Sequence, residues 1–222
     1  MPITIGPAPE PLPSDLVEKL ERVSFPTLGH YLEEGFADPA IVRVAGTRRV
    51  VGRAVTVRTT ATDSTMLHHA AGLVEPGDVV VIDTGEDVRH APLVEVGASA
   101  LVFRGAAGAV VDGSATDIDE IAGLGLPVYA RGLSMLTTKL HDIDAGGLNV
   151  PVVVGGVVVN PGDVVLADAN GVLFAAVPVL AALIDTALAD DAEEPELVEE
   201  LRAGGRLGDL TGATASVHAL TR

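Results

Sequence analysis

Four carboxylates stand out for where the sequence puts them. Asp83 and Asp112 each end an apolar run, VVVID and AVVD, and ligands of α/β sheets gather beyond the carboxyl ends of parallel strands. Asp117 lies five residues past Asp112, where a helix is expected to start, and Glu95 opens a helix after the Gly85 loop. Hard oxygens in such places suit Mg2+, which takes one or two carboxylates and keeps several waters. An ion held that way can polarise a carbonyl and stabilise an enolate. Taken singly, Asp83 and Asp112 read equally well as turn-forming aspartates.

Other chemistries find little support. There is no Walker loop, no G-x-G-x-x-G after a strand and no G-x-S-x-G elbow, so the familiar phosphate cradles and the hydrolase nucleophile are not expected. Ser114 in DGSAT has no His and acid in context. His68 and His69 are adjacent, and neighbours on a helix point about 100° apart; one is expected to face solvent and the other to pack on the sheet. With no cysteine in the chain, disulfides, thiolate zinc sites and cysteine nucleophiles are excluded together.

The elements that must position these residues follow from apolar spacing and turn chemistry. Ser14 and Asp15 can cap a helix carrying Leu16, Val17, Leu20 and Val23, and a second helix is expected after Pro26, with Leu28, Tyr31, Leu32 and Phe36 on one face. Val-rich strands begin at Ile41, and STMLHHAAGLV returns to helix. Val79 to Ile82 reads as a buried strand, LVEVGASALVF as a helix, Ala109 to Val111 as a strand, Ile118 to Leu124 as a helix with Asp117 as its cap, and Pro127 to Ala130 as a strand. NPGDVVLAD echoes EPGDVVVID as a local repeat of turn and strand, without the sustained period of a solenoid. The last forty or so residues read as helices ending in the acidic DDAEEPELVEELR.

Composition points to one α/β domain over residues 1–222, with residues 1–12 loose and a helical, acidic region at 178–222. Aromatics make up 3% with no Trp, so Val, Leu, Ile and Ala must fill the core. The longest apolar stretch is interrupted at Pro178 and is too short to span a bilayer, so no membrane role is expected. The opening MPITIGPAPEPLPSD does not read as a secretory signal, which suits a cytoplasmic location. A net charge of −17 would repel a phosphate backbone, so nucleic acid is not an expected partner.

The segments EPGDVVVIDTGEDVRHA, RGAAGAVVDGSATDIDEI, LPVYARG and NVPVVVGGVVVNPGDVVLADANGVLFA resemble the RraA-like family, which includes the class II 4-hydroxy-4-methyl-2-oxoglutarate aldolases. The resemblance implies a compact αββα-type (swivelling β/β/α) domain that assembles as a homotrimer or hexamer with sites between subunits. It further implies a lyase acting on a small 2-oxo acid through a pyruvate enolate, with Mg2+ or Mn2+ held largely through water. By the same resemblance Val94, Glu95, Val96 and Gly97 take the place of the family's Gly-Glu-x-x, whose amides meet the substrate carboxylate. Thr116 takes the Arg position and Asp117 that of the metal-binding Asp, while Glu95 would hold a metal-bound water. The family's acid borrowed from a neighbouring subunit would be Glu199 or Glu200.

Two departures bear on chemistry. Thr116 lacks the charged fork with which an Arg grips a carboxylate or enolate oxygen, and losing such a donor costs about 3 kcal/mol, a hundredfold or more in rate; Arg89 and Arg131 are the candidate replacements. Val94 puts a Cβ where the family has none. The expectation is a metal-dependent aldolase or decarboxylase. Its competitors are a non-catalytic regulator that binds a ribonuclease and a family enzyme with a different substrate.

Overall fold

The computed structural model describes residues 2–141 and 145–221. The first half of the chain runs β1 (Thr4–Ile5), α1 (Ser14–Leu20), α2 (Phe25–Leu28), β2 (Val42–Ala45), β3 (Val50–Arg58), α3 (Thr65–Ala71), β4 (Asp78–Asp83) and α4 (Glu95–Phe103). It continues with β5 (Gly108–Ala115), α5 (Ile118–Leu124), β6 (Val128–Leu133), β7 (Gly147–Leu148), β8 (Val152–Val154) and β9 (Val157–Val159). Last come β10 (Val164–Asp168), β11 (Gly171–Ala175), α6 (Val177–Arg202), α7 (Leu207–Leu210) and α8 (Ala213–Leu220).

Strands β3, β4, β5 and β6 lie side by side and parallel, with α3, α4 and α5 as the crossovers between them. A sheet buried on both faces needs apolar residues at every position, and alternation sorts them. Val80, Ile82, Ala109, Val111, Val128 and Ala130 pack under the helices. Val79, Val81, Val110 and Tyr129 pack on the opposite face against Val152, Val154 and Val159 of the β8–β9 hairpin. β3 is the branch point: its start pairs with β10 and its end with β7, both antiparallel. A third cluster packs α1, α2 and the first half of α6 on β10 and β11, through Leu20, Leu28, Leu166, Leu180 and Ile184.

The repeated Pro-Gly-Asp proves to be one turn device used twice. Asp78 accepts a hydrogen bond from the Glu75 amide and Asp163 one from the Asn160 amide, each at 2.8 Å and three residues back, before a strand that enters the core.

Two expectations need correction. Residues 1–12 are not loose throughout, since β1 pairs with β7 and the Pro9 carbonyl accepts from Arg53 at 2.6 Å. The helix after Pro26 ends at Leu28, because Phe36 is drawn into a bridge with Leu173 and the Gly35 carbonyl accepts from the Phe174 amide. Gly35 has φ +90°, and a Cβ there would meet the Phe174 carbonyl at 2.3 Å, so helical propensity loses to strand pairing at this point.

Arg53 is buried and binds Asp78 at 2.7 Å and Glu75 at 3.0 Å, and Asp78 is 1% exposed. Removing one partner of a buried pair strands the other charge, at about 3–5 kcal/mol. Arg53→Met is therefore expected to lower unfolding stability by about that amount in urea titration.

Candidate active site

The site is assembled from three extended segments. Leu93 bridges to Ala115, and the Thr116 amide donates to the Leu93 carbonyl at 3.3 Å. The segment after β6 closes alongside: Ser134 donates from its amide to the Ala115 carbonyl at 3.0 Å, and Ala91 from its amide to the Leu136 carbonyl at 2.8 Å. In consequence α4, which starts after Val94, and α5, which starts after Asp117, begin next to each other.

Asp117 joins the two helix starts. It occupies the N-cap position of α5, as its sequence context indicates, but its carboxylate does not cap that helix. Instead Oδ2 accepts the backbone amide of Glu95, the first residue of α4, at 2.9 Å. A carboxylate there also meets the positive end of the helix macrodipole. Asp117 has φ 54° and ψ 40°, a left-handed conformation that Asp adopts more readily than most residues at a cost of about 1–3 kcal/mol. Its Oδ1 has only a 3.4 Å contact with the Thr116 hydroxyl, and the side chain is exposed.

Thr116, Asp117, Asp119 and Glu120 line a cleft of about 420 Å3 together with Leu133 and Met135. Glu95 is exposed beside it and Val94 is half-buried. Val96 and Gly97 instead border a smaller hollow of about 80 Å3 with Leu67, Leu93 and His68. Of the residues singled out in the sequence, Glu95, Thr116 and Asp117 thus come together, with Val96 and Gly97 around the side of α4. The sequence reading overlooked Leu133 and Met135; its one available signal was a pair of large apolar residues flanking Ser134 in a stretch without strand or helix periodicity.

Several other candidates prove to be structural. Arg58, Asp83, Asp112 and Arg131 stand at the carboxyl ends of the four parallel strands, on the face that carries β8 and β9. The Asp112 carboxylate accepts the Gly155 amide at 2.9 Å and that of Asp83 the Val153 amide at 3.4 Å, so these aspartates clamp the hairpin. Arg131 is bound to Asp112 and, at 2.8 Å, to Asp38, which removes it as a substitute for the missing Arg. Arg89 is exposed and does not line the cleft. Ser114 is buried with its hydroxyl donated to the Val88 carbonyl at 2.6 Å. His68 and His69 are both exposed, because α3 buries Met66, Leu67, Ala70 and Ala71 instead. Glu199 and Glu200 lie in the exposed, acid-rich second half of α6, with Glu199 paired to Arg202.

Asp63 braces two loops against each other. It is 3% exposed and accepts the amides of Thr65 and His141, tying the loop after β3 to His141. Burial pushes its carboxyl up, but the amide hydrogen bonds from His141 and Thr65 outweigh burial and leave it below the usual aspartate value.

The parallel strands with helices on one face and a hairpin on the other, together with the paired helix starts, define the class. The chain belongs to the RraA-like family, described as Aldolase/RraA, whose pattern matches residues 15–174. It is 37% identical over 124 residues to a Halalkalibacterium halodurans protein named "Putative 4-hydroxy-4-methyl-2-oxoglutarate aldolase", a match covering 56% of this chain and 58% of that one. A protein of the same name from Ectopseudomonas mendocina is 34% identical, over 61% of this chain and 82% of its own length. Among solved structures, Streptomyces coelicolor RraAS2, described as an unusual member of the RNase ES inhibitor RraA protein family, superimposes with a TM-score of 0.70 at 27% identity, covering 86% of this chain and 98% of that one.

Because the folded state holds Asp63 below its ordinary value, its contribution to stability is complete above about pH 3.9 and is lost as pH falls through the lower folded value. Asp63→Asn is accordingly expected to destabilise the protein at pH 7, with a deficit that shrinks toward pH 3, measured by urea unfolding across that range.

Proposed function

We propose that the protein is a carbon–carbon lyase that cleaves a 4-hydroxy-2-oxo acid, or decarboxylates an oxaloacetate-type acid, to release pyruvate, with Mg2+ or Mn2+ bound at Asp117. The observation that carries this reading is the Asp117 carboxylate seated on the first amide of α4 with its second oxygen uncommitted. No group of three or more His, Asp or Glu side chains among the described residues is arranged to hold a metal. The oxygen of Asp117 that does not meet the Glu95 amide would suit an ion that takes one protein carboxylate and keeps its water, as Mg2+ does. When bound, such an ion supplies Lewis-acid polarisation of the 2-oxo group.

The chain's own residues supply the rest. The amides of Val96 and Gly97, in the first turn of α4, have no partner within their helix, and they offer the 1-carboxylate of the substrate a site at the helix N-terminus. Glu95, exposed at the same helix end, holds the water that takes the proton of the C4 hydroxyl. The C3–C4 bond then breaks, its electron pair passing to C3 as pyruvate enolate while C4 becomes a carbonyl. A proton returned to C3 completes pyruvate. Thr116 gives the enolate oxygen a neutral hydroxyl where a charged fork would be stronger, so a modest kcat is expected.

A homotrimer or hexamer is part of the same reading. Val96 and Phe103 on α4 are 72% and 82% exposed, which favours cover by another copy. Sedimentation of the purified protein as a trimer or hexamer is expected; a monomer would count against the assembly.

Asp117→Asn keeps the acceptor for the Glu95 amide but removes the charge. It is expected to cut metal-dependent pyruvate release by about a hundredfold or more while leaving the fold intact by circular dichroism. Turnover unchanged by this substitution or by chelator would remove Asp117 and the ion from the reaction. A second reading, a regulator that binds a ribonuclease, draws on Thr116 and on the likeness to RraAS2. Retention of an endoribonuclease in pull-down, without lyase turnover, would favour it.

A further inference from the structure

We infer that α6 carries a hinge at Pro195, and that residues 196–221 turn about it as one arm while the first half of the helix stays fixed to the domain. The inference is independent of the chemistry assigned to Asp117. The arm also lies outside the stretch that matches the family, which ends at residue 174.

The fixed half is anchored by packing and by polar bonds. Leu180, Ile184 and Ala187 are buried in one cluster with Leu16 and Leu20 of α1, Leu28 of α2 and Leu166 of β10. Lys19 pairs with Asp185 at 2.6 Å, the Tyr31 hydroxyl donates to Asp190, and Asp191 accepts the Ser24 amide and the Thr27 hydroxyl. Anchorage stops there. No residue from Ala192 to Thr221 is buried. Apart from the backbone of α6 itself, no hydrogen bond or ion pair among the described residues ties that stretch to anything before it.

The break falls one turn after the last anchor. Pro195, inside the helix, has no N–H to donate, so the Asp191 carbonyl loses its helical partner and is crowded by the ring. The residue that makes the final side-chain anchor thus also opens the weakest turn. Seven of the eleven residues from Asp190 to Glu200 are Asp or Glu, and like charges four apart, as at Asp190 and Glu194 or Glu196 and Glu200, weaken the helix further. An interior Pro is a common cause of sharp bending, and a segment without buried apolar contacts is where a fold gives way first.

Beyond the hinge the arm holds itself together. The Gly205 amide donates to the Glu200 carbonyl at 3.0 Å, Arg202 pairs with Glu199, and a Cβ on Gly208 would meet the Thr214 hydroxyl oxygen at 2.5 Å. The end of α6, α7 and α8 therefore pack on one another and move together. Glu199 and Glu200 ride on this arm, so their reach toward a neighbouring copy is set at Pro195 and not by the domain that carries them.

The chain has no cysteine, so spin labels attach only where cysteines are introduced, and Glu18, Thr186 and Ser216 are exposed. The full-length chain with Glu18→Cys and Ser216→Cys is co-expressed with an excess of the unaltered chain, so that assemblies with one labelled copy predominate. Distances are then measured by double electron–electron resonance. A broad distribution is expected between positions 18 and 216, against a narrow one for Glu18→Cys with Thr186→Cys. Pro195→Ala is expected to narrow the first and leave the second unchanged. A distribution between 18 and 216 as narrow as that between 18 and 186 would overturn the hinge, and so would a broad one that Pro195→Ala leaves broad.

Discussion

A carboxylate hydrogen-bonded to the first amide of a different helix does two things at once: it satisfies a donor that no helix can satisfy internally, and it fixes one helix start against another. Asp117 does this for α4 and α5. The arrangement depends on its left-handed backbone, which turns the side chain away from its own helix and toward the neighbouring one. Strain of this kind persists only where the surroundings over-determine it. Here they are the Leu93–Ala115 bridge and the Ser134 and Ala91 hydrogen bonds that lock three segments side by side.

The parallel strands divide labour between their two faces. On the helix side, Thr116 and Asp117 follow the end of β5 and Glu95 opens α4. On the hairpin face the same strand ends carry Arg58, Asp83, Asp112 and Arg131, whose charges are consumed in holding β8 and β9. A carboxylate at a parallel strand end is therefore not equivalent to a site carboxylate; which face it lies on decides. The division also explains why the protein has so little positive charge to offer a ligand, since its best-placed arginine is already neutralised.

The family relation and the local chemistry pull in different directions at one residue. Glu95 and Asp117 meet at the paired helix starts, while Thr116 brings a neutral hydroxyl to the position that the resemblance gives to an arginine. Leu133 and Met135 line the same cleft as Asp117, Asp119 and Glu120.

Local pattern was enough to locate most elements. Val79 to Ile82, Ala109 to Val111 and Ile118 to Leu124 lie where apolar runs and turn residues place them, because a strand buried on both faces and a capped helix each leave a short-range signature. The resemblance likewise drew attention to Glu95 and Asp117, which the structure brings into contact. Pairing partners were not: the helix expected through Phe36 gave way to a bridge with β11, and the supposedly loose N-terminus found β7. Nor could sequence distinguish Asp83 and Asp112 as clamps, show that Arg131 is spent, or bring Leu133 and Met135 into one cleft with Thr116. These outcomes depend on which face of the sheet a residue occupies and on what distant chain crosses that face, and only the packed tertiary structure decides both.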